Sequence, residues 1–282
     1  MFRLSSISFA AALLLTLVSC KGNIGPMQSD DTLDRVRRTG EINACYVIFP
    51  PSTMKDPKTG KLSGQEYDTL NLIASKINAK VLWHETSFAN MMADVQSGRC
   101  DVMPEPAFAN IPRAISVAFT TPANCYFWEG ALVRKSDPRF QHVKDPMEFD
   151  KPEITVVTAA GESGDIWVKE HFKYAKVKRM EPGSSDPYRF IMEVSANRTD
   201  VVIANALMTS RYAKEHPEVM DPLHGKPFGL APTGWVVRQD DIKWLHFLET
   251  ALQFLETQGT ITQIEKKYNA PWMHLVKEYK LQ

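Results

Sequence analysis

The chain has 282 residues, 44% of them hydrophobic and 23% charged, and its 33 basic and 33 acidic side chains cancel. That balance, with no basic run, argues against nucleic-acid binding, which gathers a basic excess on one face. The seven histidines are scattered and no Cys-x-x-Cys or His-x-x-x-His spacing occurs, so neither a metal site nor a cofactor is expected.

The chain begins as an export signal. Arg3 supplies a positive start, and Ile7 to Val18 is a mainly apolar run too short to span a bilayer comfortably. Leu17-Val18-Ser19-Cys20 closes it. This tetrapeptide resembles a bacterial lipobox, which implies an acylated Cys20 as the first mature residue; an ordinary cleaved signal ending in Cys is the alternative. On the first reading residues 1–20 are the signal and 21–31 a polar tether. The protein is then expected in the periplasm or on the cell surface, a monomer held to the membrane by lipid alone. Roughly 260 residues remain, enough for one large domain or two modest ones.

Two blocks of alternating strands and helices follow. In the first, Ile42 to Ile48 reads as a strand stopped by Phe49-Pro50-Pro51, and Tyr67 to Ile77 as a helix with Leu70, Ile73, Ala74 and Ile77 at helical spacing. A strand at Val81 to Trp83 and a helix from Phe88 to Gln96 come next, with Gly98 as a left-handed cap, before a strand restarts at Asp101. The second block has strands at Ile154 to Thr158, Val177 to Met180 and Asp200 to Ala204. Helices are expected from the Gly161–Asp165 turn through Phe172 and from Tyr188 to Val194. Trp235 to Arg238 is a last strand, followed by a helix over Ile242 to Thr257 and another ending near Tyr268. Such alternation predicts an α/β fold with mostly parallel sheets, joined through segments near Ala131–Val133 and Trp235–Val237. If Cys20 carries lipid, three cysteines remain. One disulfide, Cys100–Cys125, is then expected, leaving Cys45 as a small apolar strand residue.

Several short motifs recur in a characteristic order: Arg38-Thr39-Gly40, Phe49-Pro50-Pro51, Thr59 to Gly64 with Asp68, Gln96 to Asp101, and Arg113 followed by Phe119 to Pro122. Val133-Arg134-Lys135, then Gly259-Thr260 with Lys267-Tyr268, complete the set. Over residues 32 to 270 the chain resembles family-3 periplasmic solute-binding proteins, the polar-amino-acid type that feeds ABC importers. The resemblance implies a two-lobed fold, each lobe a mostly parallel sheet flanked by helices, joined by a two-strand hinge. Lobe one would comprise 32–132 and 236–282, and lobe two 133–235.

The same resemblance points to site residues. Arg113 stands where relatives clamp a ligand carboxylate, a task for which the planar guanidinium is suited. Phe49 and Phe88 fall where aromatic rings sandwich the ligand, and Gly161 and Ser163 open a helix whose free N–H groups favour an anionic or polar group. Three departures stand out. Phe108 and Asn110 replace hydroxyl residues, and Asn205 replaces the acid that pairs with the ligand's ammonium. A buried ammonium without a counter-charge is costly, so the expected ligand is an anion without a free α-ammonium. Glu105, Glu66 or Glu162 could restore a negative partner. The expectation is a receptor serving an ABC permease, with no catalytic residues. The alternatives are an accessory or sensor subunit for a periplasmic partner such as a quinoprotein dehydrogenase, and a cyclohexadienyl-dehydratase-like enzyme using Glu105 or Glu162.

Overall fold

The structure, a computed structural model, describes residues 31–87, 90–121, 125–181, 188–226 and 228–269. Cys20, the expected signal and residues 21–30 of the expected tether lie outside these residues, as does Phe88. Two lobes are joined by two long crossing strands, Tyr126–Arg134 and Phe228–Arg238.

In the first lobe, Glu41–Tyr46 pairs in parallel with Lys80–Glu85, from Glu41 opposite Lys80 to Tyr46 opposite Glu85. Ala44 bridges in parallel to Val102 on the other side. Met103–Phe108 then runs antiparallel to the second half of Phe228–Arg238, which also holds Val117–Phe119. Helix Gln65–Lys76 covers this sheet with Leu70, Ile73 and Ala74, the spacing that its sequence announced. The helix Ile242–Thr257 returns to the same core with Trp244, Leu248 and Leu255, beside Val36 of the helix Thr32–Thr39. Two buried indoles lock the join: Trp235 donates to Glu66 at 2.9 Å and Trp244 to the Asp101 carbonyl at 3.0 Å.

The second lobe centres on Val201–Asn205, parallel to Thr155–Ala159 and antiparallel to Tyr126–Arg134. Lys176–Met180 extends the sheet in parallel. Val201 and Ile203 pack with Phe140, Phe149 and Val156, while Val202 and Ala204 face Phe190, Ile191 and Tyr212. The strand is buried on both faces, which is why its run is apolar and unalternating. The helix expected from Tyr188 is shorter, a single turn at Met192–Ser195.

The cysteine pairing differs from expectation. Cys45 bonds Cys100, with Cα atoms 5.6 Å apart, and Cys125 is a buried free thiol. Register explains it: the Cys45 amide donates to the Val102 carbonyl at 3.0 Å, so the chain entering its strand at Cys100 lies alongside Cys45. Cys125 instead sits in the hinge, its sulfur 3.0 Å from the Thr233 hydroxyl. The pairing predicts that Cys45→Ala or Cys100→Ala costs about 2–4 kcal/mol in denaturant unfolding under oxidising conditions. Sensitivity to reductant disappears in both variants and persists in Cys125→Ala.

Candidate functional site

Arg113 is positioned by a short local device. The Asn110 side chain caps the turn Ile111–Ala114 by accepting from the Arg113 amide at 2.9 Å, and Pro112 presets the helical φ in its first turn. The guanidinium then reaches inward, only 13% exposed, and donates to the Phe108 carbonyl at 3.4 Å and the Gly161 carbonyl at 3.1 Å. Its Nη2 also lies 3.4 Å from Glu162. Arg113 belongs to the first lobe's elements and Gly161 and Glu162 to the second's, so these contacts cross the cleft. Arg211 adds a second crossing through the Pro50 carbonyl at 2.7 Å.

The opposing wall is a turn held by Asp165. Burial alone would raise the Asp165 carboxyl. Hydrogen bonds from the Gly161 amide, Lys169 and Arg179 instead hold it below the ordinary carboxylate range. Gly164 lets the helix Ser163–His171 approach closely: a Cβ there would lie 2.9 Å from the Ile203 carbonyl. No side chain caps this helix, so its first turn keeps N–H groups for an acceptor.

Asn205 ends the strand Val201–Asn205 and caps the helix Ala206–Glu215, its Oδ1 accepting from Leu207 at 2.8 Å. One lone pair of the oxygen is thereby used, and the amide NH2 is a donor.

Phe49 and Phe108 stand edge-on to Phe127, with centroids at 6.4 and 5.6 Å. With Val47, Met91, Met103, Phe190, Ile203 and Met208 they give the cleft an apolar lining around a cavity of about 80 Å³. Arg113, Glu105, Glu162, Ser163 and Asn205 line it too. Of the residues named from sequence, Asn110 acts through its cap and Gly161 through its carbonyl. Phe127 and Phe190 were not foreseen. Alternating apolar positions in Tyr126–Arg134 were the available signal for Phe127; Phe190 carried none.

Three carboxyls crowd this region. Glu129 is fully buried, with Ser163 the polar side chain beside it, and desolvation pushes its pKa up to about 8. Glu105, 3% exposed, is pushed up to about 7 by the same cause, against the pull of the neighbouring Ser52 and Thr53 hydroxyls. Glu162 is raised by desolvation, with Arg113 pulling it back in part. Glu66 faces Trp235 instead. Among the described residues no group of three or more His, Cys, Asp or Glu is placed to hold a metal, and no helix is long and apolar enough to cross a membrane.

The chain belongs to the bacterial extracellular solute-binding proteins, family 3, whose model matches residues 30–271. It is 21% identical to the cyclohexadienyl dehydratase of Pseudomonas aeruginosa over 78% of this chain and 82% of that one. It is 22% identical to a probable amino-acid-binding protein, YxeM, of Bacillus subtilis over 93% and 94% of the two chains. In structure it is similar to an ancestral amino-acid-binding protein, AncCDT-1, a precursor of cyclohexadienyl dehydratase. That likeness has a TM-score of 0.70 at 21% identity, over 84% of this chain and 99% of the other. The proteins it is similar to thus include both binding proteins and an enzyme.

The buried acids set a pH dependence of stability. Glu129 and Glu105 hold protons more tightly folded than unfolded, so their contribution is complete below their ordinary range and is lost as pH rises through about 7 and 8. Thermal stability is expected to fall between roughly pH 5 and pH 9, by an amount on the order of several kcal/mol. Glu129→Gln should flatten that fall, as read from melting temperatures across the range.

Proposed function

We propose that this protein is an extracytoplasmic lipoprotein, anchored through Cys20, that captures a small carboxylate-bearing solute between its lobes and delivers it to an ABC importer. The observation that carries this reading is the Arg113 guanidinium, buried in an apolar cleft and reaching from one lobe to the other. A cation so placed favours an anion that can take its remaining donors. Family membership supports solute capture, and the aromatic lining supports a partly apolar ligand body.

Asn205 supports the absence of a free α-ammonium. With Oδ1 holding the Leu207 amide, the side chain's NH2 is a donor suited to a carbonyl or carboxylate oxygen, and it carries no negative charge to pair with an ammonium. The ligand therefore differs in chemistry from an ordinary amino acid.

Glu162 lies 3.4 Å from the guanidinium and competes for it with an anionic solute, which gains access when Glu162 lets go. Protonation of Glu162 achieves this. Desolvation raises its carboxyl, so the release comes at a higher pH than for an ordinary glutamate. The sign follows: anion affinity rises as pH falls through the Glu162 titration. Glu162→Gln is expected to tighten binding and remove most of that dependence, measured by calorimetry at several pH values.

The test of the function itself is titration with simple organic acids and the standard amino acids. Organic acids are expected to bind, with Arg113→Gln weakening them roughly 10- to 100-fold, the value of a hydrogen bond to a charged group. Micromolar binding of an ordinary amino acid in preference to acids overturns the proposal. A second reading, acid-assisted elimination, draws on Glu105, a buried carboxyl near neutrality at the cleft wall. Turnover of a cyclohexadienyl acid such as prephenate would establish that reading in place of transport.

A further inference from the structure

The side chains that line the cleft divide by chemistry. Arg113 is the one Lys or Arg among the described lining residues. It reaches the Gly161 carbonyl at 3.1 Å, at the turn that leads into the uncapped helix Ser163–His171, so its donors and the helix's first N–H groups converge. That is provision for one anionic head. The lining carboxyls are engaged elsewhere. Asp165 takes hydrogen bonds from the Gly161 amide, Thr158 and Arg179, and an ion pair with Lys169. Glu105 accepts from Ser52, the Thr53 hydroxyl acts on the same carboxyl, and its Oε1 has no surface open to the cleft. Glu162 faces Arg113.

The rest of the lining is largely hydrocarbon. Phe49 and Phe108 stand edge-on to Phe127, a wall of rings drawn from three segments of the chain. Phe108 is fixed through its backbone: it stands opposite Thr233 in the sheet, and the next amide, Ala109, donates to the Pro232 carbonyl at 2.9 Å. Its own carbonyl accepts from Arg113, which sets the ring close behind the guanidinium. Met91, Met103 and Met208 add flexible side chains that adapt to irregular shapes. The cavity of about 80 Å³ is well below the ~150 Å³ that admits benzene, so a few carbons fit and an aromatic ring does not.

We infer that the solute held by Arg113 is a short-chain monocarboxylic acid with an unsubstituted hydrocarbon tail, and that the Phe108 ring sets the length of tail admitted. The inference rests on the carboxylate reading of Arg113 and adds what lies behind the carboxylate. Selection is by shape. The tail gains by leaving water, whereas a hydroxyl proton or a second carboxylate gives up its hydration and meets no free carboxyl or second cation in return.

Calorimetric titration of the purified protein with acetate, propionate, butyrate, valerate, hexanoate and benzoate tests this, with 3-hydroxybutyrate and succinate as polar counterparts of butyrate. Affinity is expected to climb about fourfold per added methylene, peak between propionate and valerate, and fall for hexanoate and benzoate. 3-Hydroxybutyrate is expected to bind about tenfold more weakly than butyrate, and succinate, with a second charge to bury, more weakly still. Phe108→Ala is expected to move the optimum to longer acids, while Arg113→Gln weakens all of them alike. Should Phe108→Ala fail to fold, Phe108→Leu is expected to move the optimum by a smaller step. A flat series, or a polar counterpart that binds better than butyrate, with Arg113→Gln still weakening it, would overturn the hydrocarbon tail and leave the Arg113 reading intact. An optimum that stays in place in every folded Phe108 variant would overturn the Phe108 assignment. No binding of any acid would overturn both readings.

Discussion

A guanidinium cannot be withdrawn from water into an apolar cleft without partners, and this need organises the space between the lobes. Arg113 meets it with the Phe108 carbonyl of its own lobe and with Gly161 and Glu162 of the other. The crossing strands Tyr126–Arg134 and Phe228–Arg238 bring those partners within reach, and the Asn110 cap aims the side chain. The contact between the lobes thus rests in part on one cation's hydrogen-bond requirements. On the proposed function, a solute that replaced Glu162 at that cation would be coupled to the hinge.

Around this single cation stand carboxyls that burial drives toward the neutral form. Glu129 and Glu105 lie deep enough for desolvation to dominate, whereas the Asp165 carboxyl is held below its ordinary range because Gly161, Lys169 and Arg179 all donate to it. Neighbouring acids therefore differ in charge in part through the hydrogen bonds they receive. The cleft is less acidic than a count of its glutamates suggests, which makes room for an anion. The same arrangement, a neutral acid in a dry pocket, is raw material for proton transfer, and the presence of a dehydratase among the relatives is chemically intelligible on that basis.

Much of the fold was legible because its signals are local. Helical spacing in Gln65–Lys76 and the unbroken apolar run of Val201–Asn205 each depend on a few neighbouring residues. The motif order around Arg113 pointed to a cleft that also brings together Phe49, Phe108, Ser163 and Asn205. The disulfide was misread because pairing depends on which strands lie side by side: the parallel bridge from Ala44 to Val102 decides for Cys45, and nothing in the spacing of Cys100 and Cys125 reveals it. Phe127 and Glu129 escaped notice for a related reason. They belong to a crossing strand whose role follows from its place between the lobes, not from its residues. Asn205 could be read as a lost charge from sequence, but the engagement of its oxygen by Leu207 needed coordinates.

The most direct measurement of the central claim is a crystal structure of the protein with a bound organic acid. The account predicts a carboxylate oxygen about 2.7–2.9 Å from an Arg113 guanidinium nitrogen, the distance of a charge-assisted hydrogen bond, with Glu162 turned away. A solute seated elsewhere while Arg113 keeps its contact with Glu162 would contradict it.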